Sequence, residues 1–370
     1  AKISSRSAQT INRYGVYADQ SHSTQNGWNL GYGASYLYSY DKDSQFYDLA
    51  ENVNQIQDTD SKLKEHKTDL YVSASKQFNP NLSFSASLKG EYYKIGDYKK
   101  WALYPQFSLN YAKSPKHIYQ LGLSTDKTYP SYWSMQSSIS YVDGYSELHG
   151  SPGLRPATNY NLNATYIYQR KYILGAFYSY TKDYFAQSPY QSSERLALIY
   201  KNMNWNYMQS AGLNLIVPIN IGSWLRTRLI GVGMYLHQRC DDFFDIPFDR
   251  EKFAFMGRMD HTFIVNKNLM FELNAHIQTP VIQGTFDVGT VSAINAGMKW
   301  NFAQQKMSLG LYCNDIFNTS SPKLTVDYKG QNLMMDNRFY SRSVQVKYIY
   351  KLGGFKNKQK KKVDMSRFGH

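Results

Sequence analysis

The sequence predicts an all-β protein, a transmembrane antiparallel up-and-down β-barrel. Three observations predict it. At least eight stretches alternate apolar and polar residues, and four keep this up for nine to eleven positions. Alternation of period two puts the two sets on opposite faces of a strand. Strands of soluble domains average about 5–6 residues, whereas a tilted strand crossing a bilayer needs roughly 9–11. Second, short turns and long polar connections take turns along the chain, as in barrels with one short-turned and one long-looped rim. Third, 34 Tyr and 6 Trp bring aromatics to 16%, and these rings favour the membrane–water interface.

Taken in order, Trp28, Leu30, Tyr32, Ala34, Tyr36 and Tyr38 oppose Asn29, Gly31, Gly33 and Ser35. Leu70, Val72 and Ala74 oppose Asp69, Tyr71, Ser73 and Ser75. The cleanest strand runs from Leu82 to Tyr92, with Leu82, Phe84, Ala86, Leu88, Gly90 and Tyr92 on one side. Its other side carries Ser83, Ser85, Ser87, Lys89 and Glu91. The pattern returns at Phe107–Tyr111, Leu162–Gln169, Leu269–Ile277, Ile294–Phe302 and Ser343–Tyr350. The apolar sets are read as lipid-facing and the Gly- and Ser-rich polar sets as lumen-facing. Short turns fall at 79–81, 114–116, 169–171, 220–222, 266–268 and 303–305, all polar or Pro/Gly-bearing apart from Ile221 and Ala303. Longer polar segments fall at 41–66, 128–157, 183–195, 239–250, 279–287 and 318–338, with 96–100 a short member of that set. The long connections are expected to be extracellular. About fifteen strands result, the last at about 339–352. Residues 1–352 are therefore expected to form the barrel and 353–370 a basic periplasmic tail. Single-chain bacterial barrels have even strand numbers. The odd count, together with a polar start (Ala1-Lys2-Ile3-Ser4) in place of a signal peptide, leads to the expectation that the beginning of the barrel is absent.

Composition sets the bounds. No stretch approaches the ~18 apolar residues of a helical span, and the mean hydropathy of −0.55 is what alternating barrel strands average to. The net charge of +14 is uneven, with seven Lys/Arg against one Asp between Lys351 and His370. No aromatic-plus-basic module accompanies it, so nucleic acid is not an expected partner; anionic lipid or a periplasmic partner is. Cys240 and Cys313 supply neither a disulfide framework nor a metal site. Hydrolase, zinc-protease and phosphate-loop motifs do not occur. His276 shares the lumen side with Glu272 and reads as a polar pair. Asp241, Asp242 and Asp245 read as a solvated acidic loop rather than a Ca²⁺ site. No catalytic residue, cofactor or metal is expected.

Several segments resemble TonB-dependent outer-membrane transporters, in particular the "outer membrane protein beta-barrel" subgroup. Tyr129-Pro130-Ser131-Tyr132-Trp133 followed by Gly150-Ser151-Pro152-Gly153-Leu154-Arg155-Pro156 is similar to a loop of that family that leads into a new strand. Ser151, Arg155 and Ala157 stand where the family pattern has Asn, Lys and Glu. Asn314-Asp315-Ile316-Phe317-Asn318 resembles the stretch closing a late strand, and 14–40 two mid-barrel strands. The ending Tyr350-Lys351-Leu352-Gly353-Gly354-Phe355 with Arg367-Phe368-Gly369 is like the subgroup's C-termini. The resemblance implies part of a 22-stranded barrel, from which about seven strands and an N-terminal plug are missing here. It also implies an outer-membrane location, with lipid bilayer and lipopolysaccharide around the wall. The further partners it implies are the plug, the TonB energy-coupling protein acting through that plug, and a surface lipoprotein. The expected function is import of a scarce solute such as a glycan or siderophore. The alternative is a plugless porin or a structural barrel subunit of an envelope complex. Loop aromatics Tyr129, Tyr132, Trp133, Tyr141 and Tyr145 are the candidate ligand-facing residues, able to stack on sugar rings or a siderophore; interface girdle or loop packing is the competing use of these rings.

Overall fold

A computed structural model describes residues 3–49, 58–336 and 340–352. Fifteen strands form one sheet in chain order. They are Ile3–Ser23, Trp28–Leu49, Thr59–Asn79, Leu82–Ile95, Tyr98–Ser114, His117–Thr128, Ala157–Tyr168, Tyr172–Lys182, Tyr207–Ile221, Leu225–Phe243, Ile246–Ile264, Leu269–Gln278, Val291–Phe302, Met307–Asn314 and Ser343–Tyr350. Neighbours are antiparallel, as in the Ala86↔Phe107 and Leu213↔Gly233 pairings. The wall is thus an up-and-down meander of fifteen strands. Its first and last strands, Ile3–Ser23 and Ser343–Tyr350, each pair on one side among the described residues.

The alternation sets the faces. Leu70, Val72, Leu88, Leu103, Leu121, Leu162, Leu174 and Leu213 are exposed on the outside, while Ser85 and Ser108 bond across the inside at 3.0 Å. An inner recess is lined by Ser73, Ser75, Ser87, Gln106, Ser124 and Asn163. Aromatic pairs edge the outer apolar band. Toward the short turns lie Trp28–Phe78, Tyr111–Tyr119 and Trp224–Phe263; toward the long connections lie Tyr92–Trp101 and Tyr160–Tyr180. Trp101 and Tyr111 share one strand. Their ten-residue separation, at about 3.3 Å per residue and a tilt of 35–45°, spans about 25 Å along the barrel axis. That is the height of the apolar band of outer-membrane barrels, about 25 Å.

All six short turns lie where expected, and 24–27 joins them at the same rim. The opposite rim departs from the sequence reading. Segments 41–66 and 239–250 are largely strand: the ladder continues from Asp41↔Leu63 to Gln45↔Thr59, and from Arg239↔Asp249 to Phe243↔Ile246. Polar side chains on both faces hid these extensions, because backbone pairing needs no apolar face once a strand has left the bilayer. The connections 129–156, 183–206, 279–290 and 315–342 carry two further four-stranded sheets. One joins Ile139–Tyr141, Ser146–His149, Leu198–Asn204 and Phe185–Gln191; the other joins Val281–Gln283, Phe286–Val288, Lys323–Tyr328 and Gln331–Asp336. The tail 353–370 and positions 50–57 lie outside the described residues.

One interruption positions the site. Strand Tyr98–Ser114 pairs with His117–Thr128 only as far as Phe107↔Leu123. Residues 98–106 are therefore tied to Leu82–Ile95 alone on the ladder, and side chains fill the seam.

Candidate functional site

The seam is closed by charge. Glu91, on the inner face of its strand, and Lys127, from the far side of the seam, meet at 2.8 Å with side chains almost fully buried. The Tyr129 hydroxyl donates to the same carboxylate, and the Tyr104 hydroxyl lies 3.5 Å from it. The Lys127 ammonium sits 4.4 Å from the Tyr93 ring and 5.4 Å from the Tyr129 ring. Burial and then the Glu91 charge push the Tyr129 phenol well above its ordinary value, so it stays a donor.

Connection 129–156 then folds inward over the strands. Its single 3-10 turn, Trp133–Met135, buries Met135 beside Tyr132 and Leu154 against Tyr93 and Ile95. Its polar groups answer a column of inward carboxylates above the aromatic belt: Tyr132 donates to Glu65, and Gln136 Nε2 to Asp43 at 2.7 Å. Burial pushes the Asp41 carboxyl up to about 6, and the Asp43 charge adds to it. The Glu147 carboxylate is held low chiefly by Arg195, which grips it with two nitrogens, and His149 adds a contact at 2.8 Å.

The two accessory sheets are clasped together. Gln331 Oε1 accepts from the Gln191 backbone N–H at 2.6 Å, Gln331 Nε2 donates to the Gln191 carbonyl at 3.0 Å, and the Asn332 N–H reaches the Gln191 side chain at 2.7 Å. Beneath them Trp205, Cys240, Phe243 and Phe248 form a buried aromatic knot. Tyr190 stacks on Phe244 at 4.1 Å, and Arg250 and Lys252 hold Asp287 at 2.5 and 3.2 Å. The long-connection rim is a packed cap.

The five loop aromatics divide within this cap. Tyr129 and Tyr132 are engaged with buried carboxylates. Tyr141 is half-buried with its ring edge-on to Tyr47 at 6.4 Å. Trp133 and Tyr145 are exposed, at 42% and 64%. Trp133 forms one wall of a small polar pocket with Gln136, Ser138, His149, Gln187 and Asn202. The sequence offered no signal for this pocket, because its polar members come from two connections, 129–156 and 183–206, that are separate in the chain. Elsewhere, His276 stands opposite Arg258 and Glu272 opposite Thr262, so the expected His276–Glu272 pair does not form. Asp241 is engaged by Arg239 and Asn206 at 2.7 Å each.

The Asn314–Asn318 motif proves to be a carboxylate-centred knot. Asp315 accepts from the Ser341 hydroxyl at 2.5 Å, the Ser320 hydroxyl at 2.7 Å and the Thr319 N–H at 2.9 Å, and its own N–H reaches Asn295 at 2.7 Å. Burial opposes the charge, but these donors outweigh it and hold the carboxyl at about 2. The folded value is depressed, so the stabilisation is complete above the ordinary 3.8 and fades as pH falls through about 2. Asp315→Asn is expected to lose about 1–2 kcal/mol through weaker, uncharged hydrogen bonds. In urea titrations of the refolded full-length protein this loss should be present at pH 7 and shrink toward pH 2; a loss independent of pH contradicts it.

The sequence model of the outer membrane protein beta-barrel family matches residues 1–350. Among solved structures, the siderophore receptor PirA from Pseudomonas aeruginosa is similar at 12% identity and TM-score 0.59, over 84% of this chain and 55% of that one. The ferric yersiniabactin uptake receptor FyuA from Yersinia pestis is similar at 12% identity and TM-score 0.59, over 94% and 55%. The copper transporter OprC is similar at 10% and TM-score 0.59, over 84% and 52%. The chain spans about half the length of these proteins. No curated protein matches it.

Proposed function

Because the chain belongs to the outer membrane protein beta-barrel family, matched over residues 1–350, we propose that it forms the C-terminal part of the wall of a TonB-dependent transporter. That transporter imports a scarce solute, a glycan, siderophore or similar cargo, across the outer membrane. The observation that carries the reading is the open, odd-numbered wall. In an antiparallel meander of fifteen strands the two edge strands run the same way, so closing on each other would need a parallel pair, whereas single-chain bacterial barrels are antiparallel with an even total. Seven further strands make twenty-two. The shared fold with siderophore and copper receptors about twice as long supports the same conclusion.

In this reading the long-connection rim faces outward and its cap forms the ligand vestibule, with Trp133 and Tyr145 as the exposed stacking surfaces. The seven-strand segment and a plug precede the wall, the TonB protein acts through the plug, and a surface lipoprotein sits over the cap. The tail 353–370 faces the periplasm.

Two measurements test this. A tag at Asp58 should be labelled on intact cells, and one replacing Lys267 in a short turn only after the outer membrane is permeabilised; the reverse inverts the topology. The full-length protein reconstituted in planar bilayers should hold no steady open conductance, because the plug closes the lumen. A persistent ohmic pore overturns the transporter reading in favour of a passive porin.

A further inference from the structure

Where the long-connection rim covers the wall, the inner face carries two neighbouring acids. Asp41 and Asp43 follow each other on that face of Trp28–Leu49, and both are almost fully buried, at 3% and 2% exposed. Register sets Asp41 directly between Ile11 and Leu63. Those two side chains pack on the cluster of Tyr93, Ile95, Tyr132, Met135 and Leu154, so Asp41 lies in apolar surroundings beneath connection 129–156. Among the described residues its Oδ1 has no hydrogen-bond partner, and Ser39 Oγ and Gln9 Nε2, on the same face, have none either. Asp43, by contrast, is tied to the connection through the 2.7 Å bond from Gln136 Nε2.

Few charges face Asp41. On its own strand there is Asp43, a like charge. Strand Ile3–Ser23 brings Arg13 opposite Ser39, and Thr59–Asn79 brings Glu65 to the other side of Ser39; both already have partners. Leu82–Ile95 brings Tyr93, and connection 129–156 brings Tyr132, whose hydroxyl donates to Glu65. Lys42, Lys62 and Lys64 alternate onto the outer face. A neutral carboxylic acid fits such surroundings and a carboxylate does not. Burial, and then the Asp43 charge, hold the Asp41 carboxyl at about 6.

We propose that connection 129–156 is a proton-sensitive latch: Asp41, when neutral, lets the turn Trp133–Met135 and Gln136 seat on the wall, and when ionised it loosens them. The loosening passes through two contacts. The Asp41 charge draws water between Ile11, Leu63 and the Met135 cluster. It also raises the cost of the neighbouring Asp43 charge, which holds Gln136. The folded value lies above the ordinary 3.8, so this stabilisation is complete below 3.8 and is lost as pH rises through about 6. Trp133 and Gln136 also line the small polar pocket of the cap, so the pocket is complete in acid and open-sided near neutrality. That consequence rests on the reading of the cap as a vestibule; the latch itself does not.

Hydrogen exchange of the full-length protein in detergent tests the latch, with protection factors corrected for the intrinsic rate at each pH. The reporter is the peptide 131–138, in which the Met135 N–H donates to the Tyr132 carbonyl and the Gln136 N–H to that of Trp133. An opening that brings Asp41 into water returns its carboxyl to the ordinary value. The peptide should therefore be about tenfold better protected at pH 5 than at pH 7.5. Wall segment 211–216, laddered on both sides, should not change. Asp41→Asn, the neutral isostere, should keep the acid level of protection at both pH values. His149→Gln, which removes the one histidine of the connection, should leave the tenfold difference in place. All variants are checked for heat-modifiable migration in SDS, so that a misfolded barrel is not scored. A wild-type difference under about twofold overturns the proposal. So does a difference that survives Asp41→Asn, or one that disappears with His149→Gln. The transporter reading fails separately, in the conductance measurement, which exchange at 131–138 does not touch.

Discussion

Lys127→Met is expected to destabilise the barrel by about 3–5 kcal/mol, the usual cost of removing one partner from a buried ion pair. The reason lies in what the pair replaces. Over most of the wall a strand is held to its neighbour by a continuous ladder, but the upper half of Tyr98–Ser114 lacks one after Phe107↔Leu123. Glu91, Lys127, Tyr129 and Tyr104 fill that seam. Without Lys127, the carboxylate remains fully buried; the nearest other cation is Lys89 at 3.9 Å. It must then either take up a proton or draw water into the seam, and both weaken the anchoring of connection 129–156 through Tyr129. Removing both charges relieves the orphan. Glu91→Gln with Lys127→Met should recover more than half of the loss, since buried pairs often exchange for neutral groups at little net cost. A double-mutant cycle in urea titrations of the full-length protein folded into lipid vesicles measures both. A single-mutant loss under about 1 kcal/mol, or a double mutant no better than the single, means that the ladder gap is sealed by something other than this pair.

The same seam shows why some of the molecule was legible from sequence and some was not. Within the bilayer the solvent dictates the pattern. Every second residue meets lipid, so Leu82 to Tyr92 announces both its conformation and its faces, and the six polar turns announce the rim. Above the belt that constraint lapses. Asp41 to Gln45 and Arg239 to Phe243 still pair as strands, but water or other loops lie on either face and no alternation survives to be read. The candidate site depends on contacts between positions remote in sequence. Glu91 to Lys127 reaches across the whole strand Tyr98–Ser114, 36 residues apart, Gln191 to Gln331 spans 140 residues, and nothing local in either segment encodes its partner. Tyr129 and Tyr132 were visible as loop aromatics; their engagement by Glu91 and Glu65 was not, because a tyrosine selected to pack and one selected to bind look alike until their neighbours are placed. The Asn314–Asn318 motif was readable only as a resemblance. Its physical content, one carboxylate collecting donors from 319, 320 and 341, appears when those segments are brought together.

Ala86→Arg is expected to destabilise the folded barrel by about 2–4 kcal/mol, the cost of an arginine at the bilayer midplane on the lipid face, while Ser87→Arg should cost much less. The two positions are adjacent in one strand, so propensity, register and depth are nearly the same for both. Only the face differs. Ala86 lies between Ala74 and Phe107 on the outer surface, about midway between the Trp101 and Tyr111 levels. From there a guanidinium must cross roughly half of the ~25 Å apolar band to reach water, further than its stem extends. Ser87 lies between Ser73 and Gln106 and borders the serine-lined inner recess, where an arginine meets hydroxyl and amide groups and space beyond them. The measurement is the folding free energy of each full-length variant in lipid vesicles, supported by the fraction that keeps its heat-modifiable migration. Equal losses would mean that position 86 does not face hydrocarbon, and a larger loss at 87 would reverse the two faces of the wall.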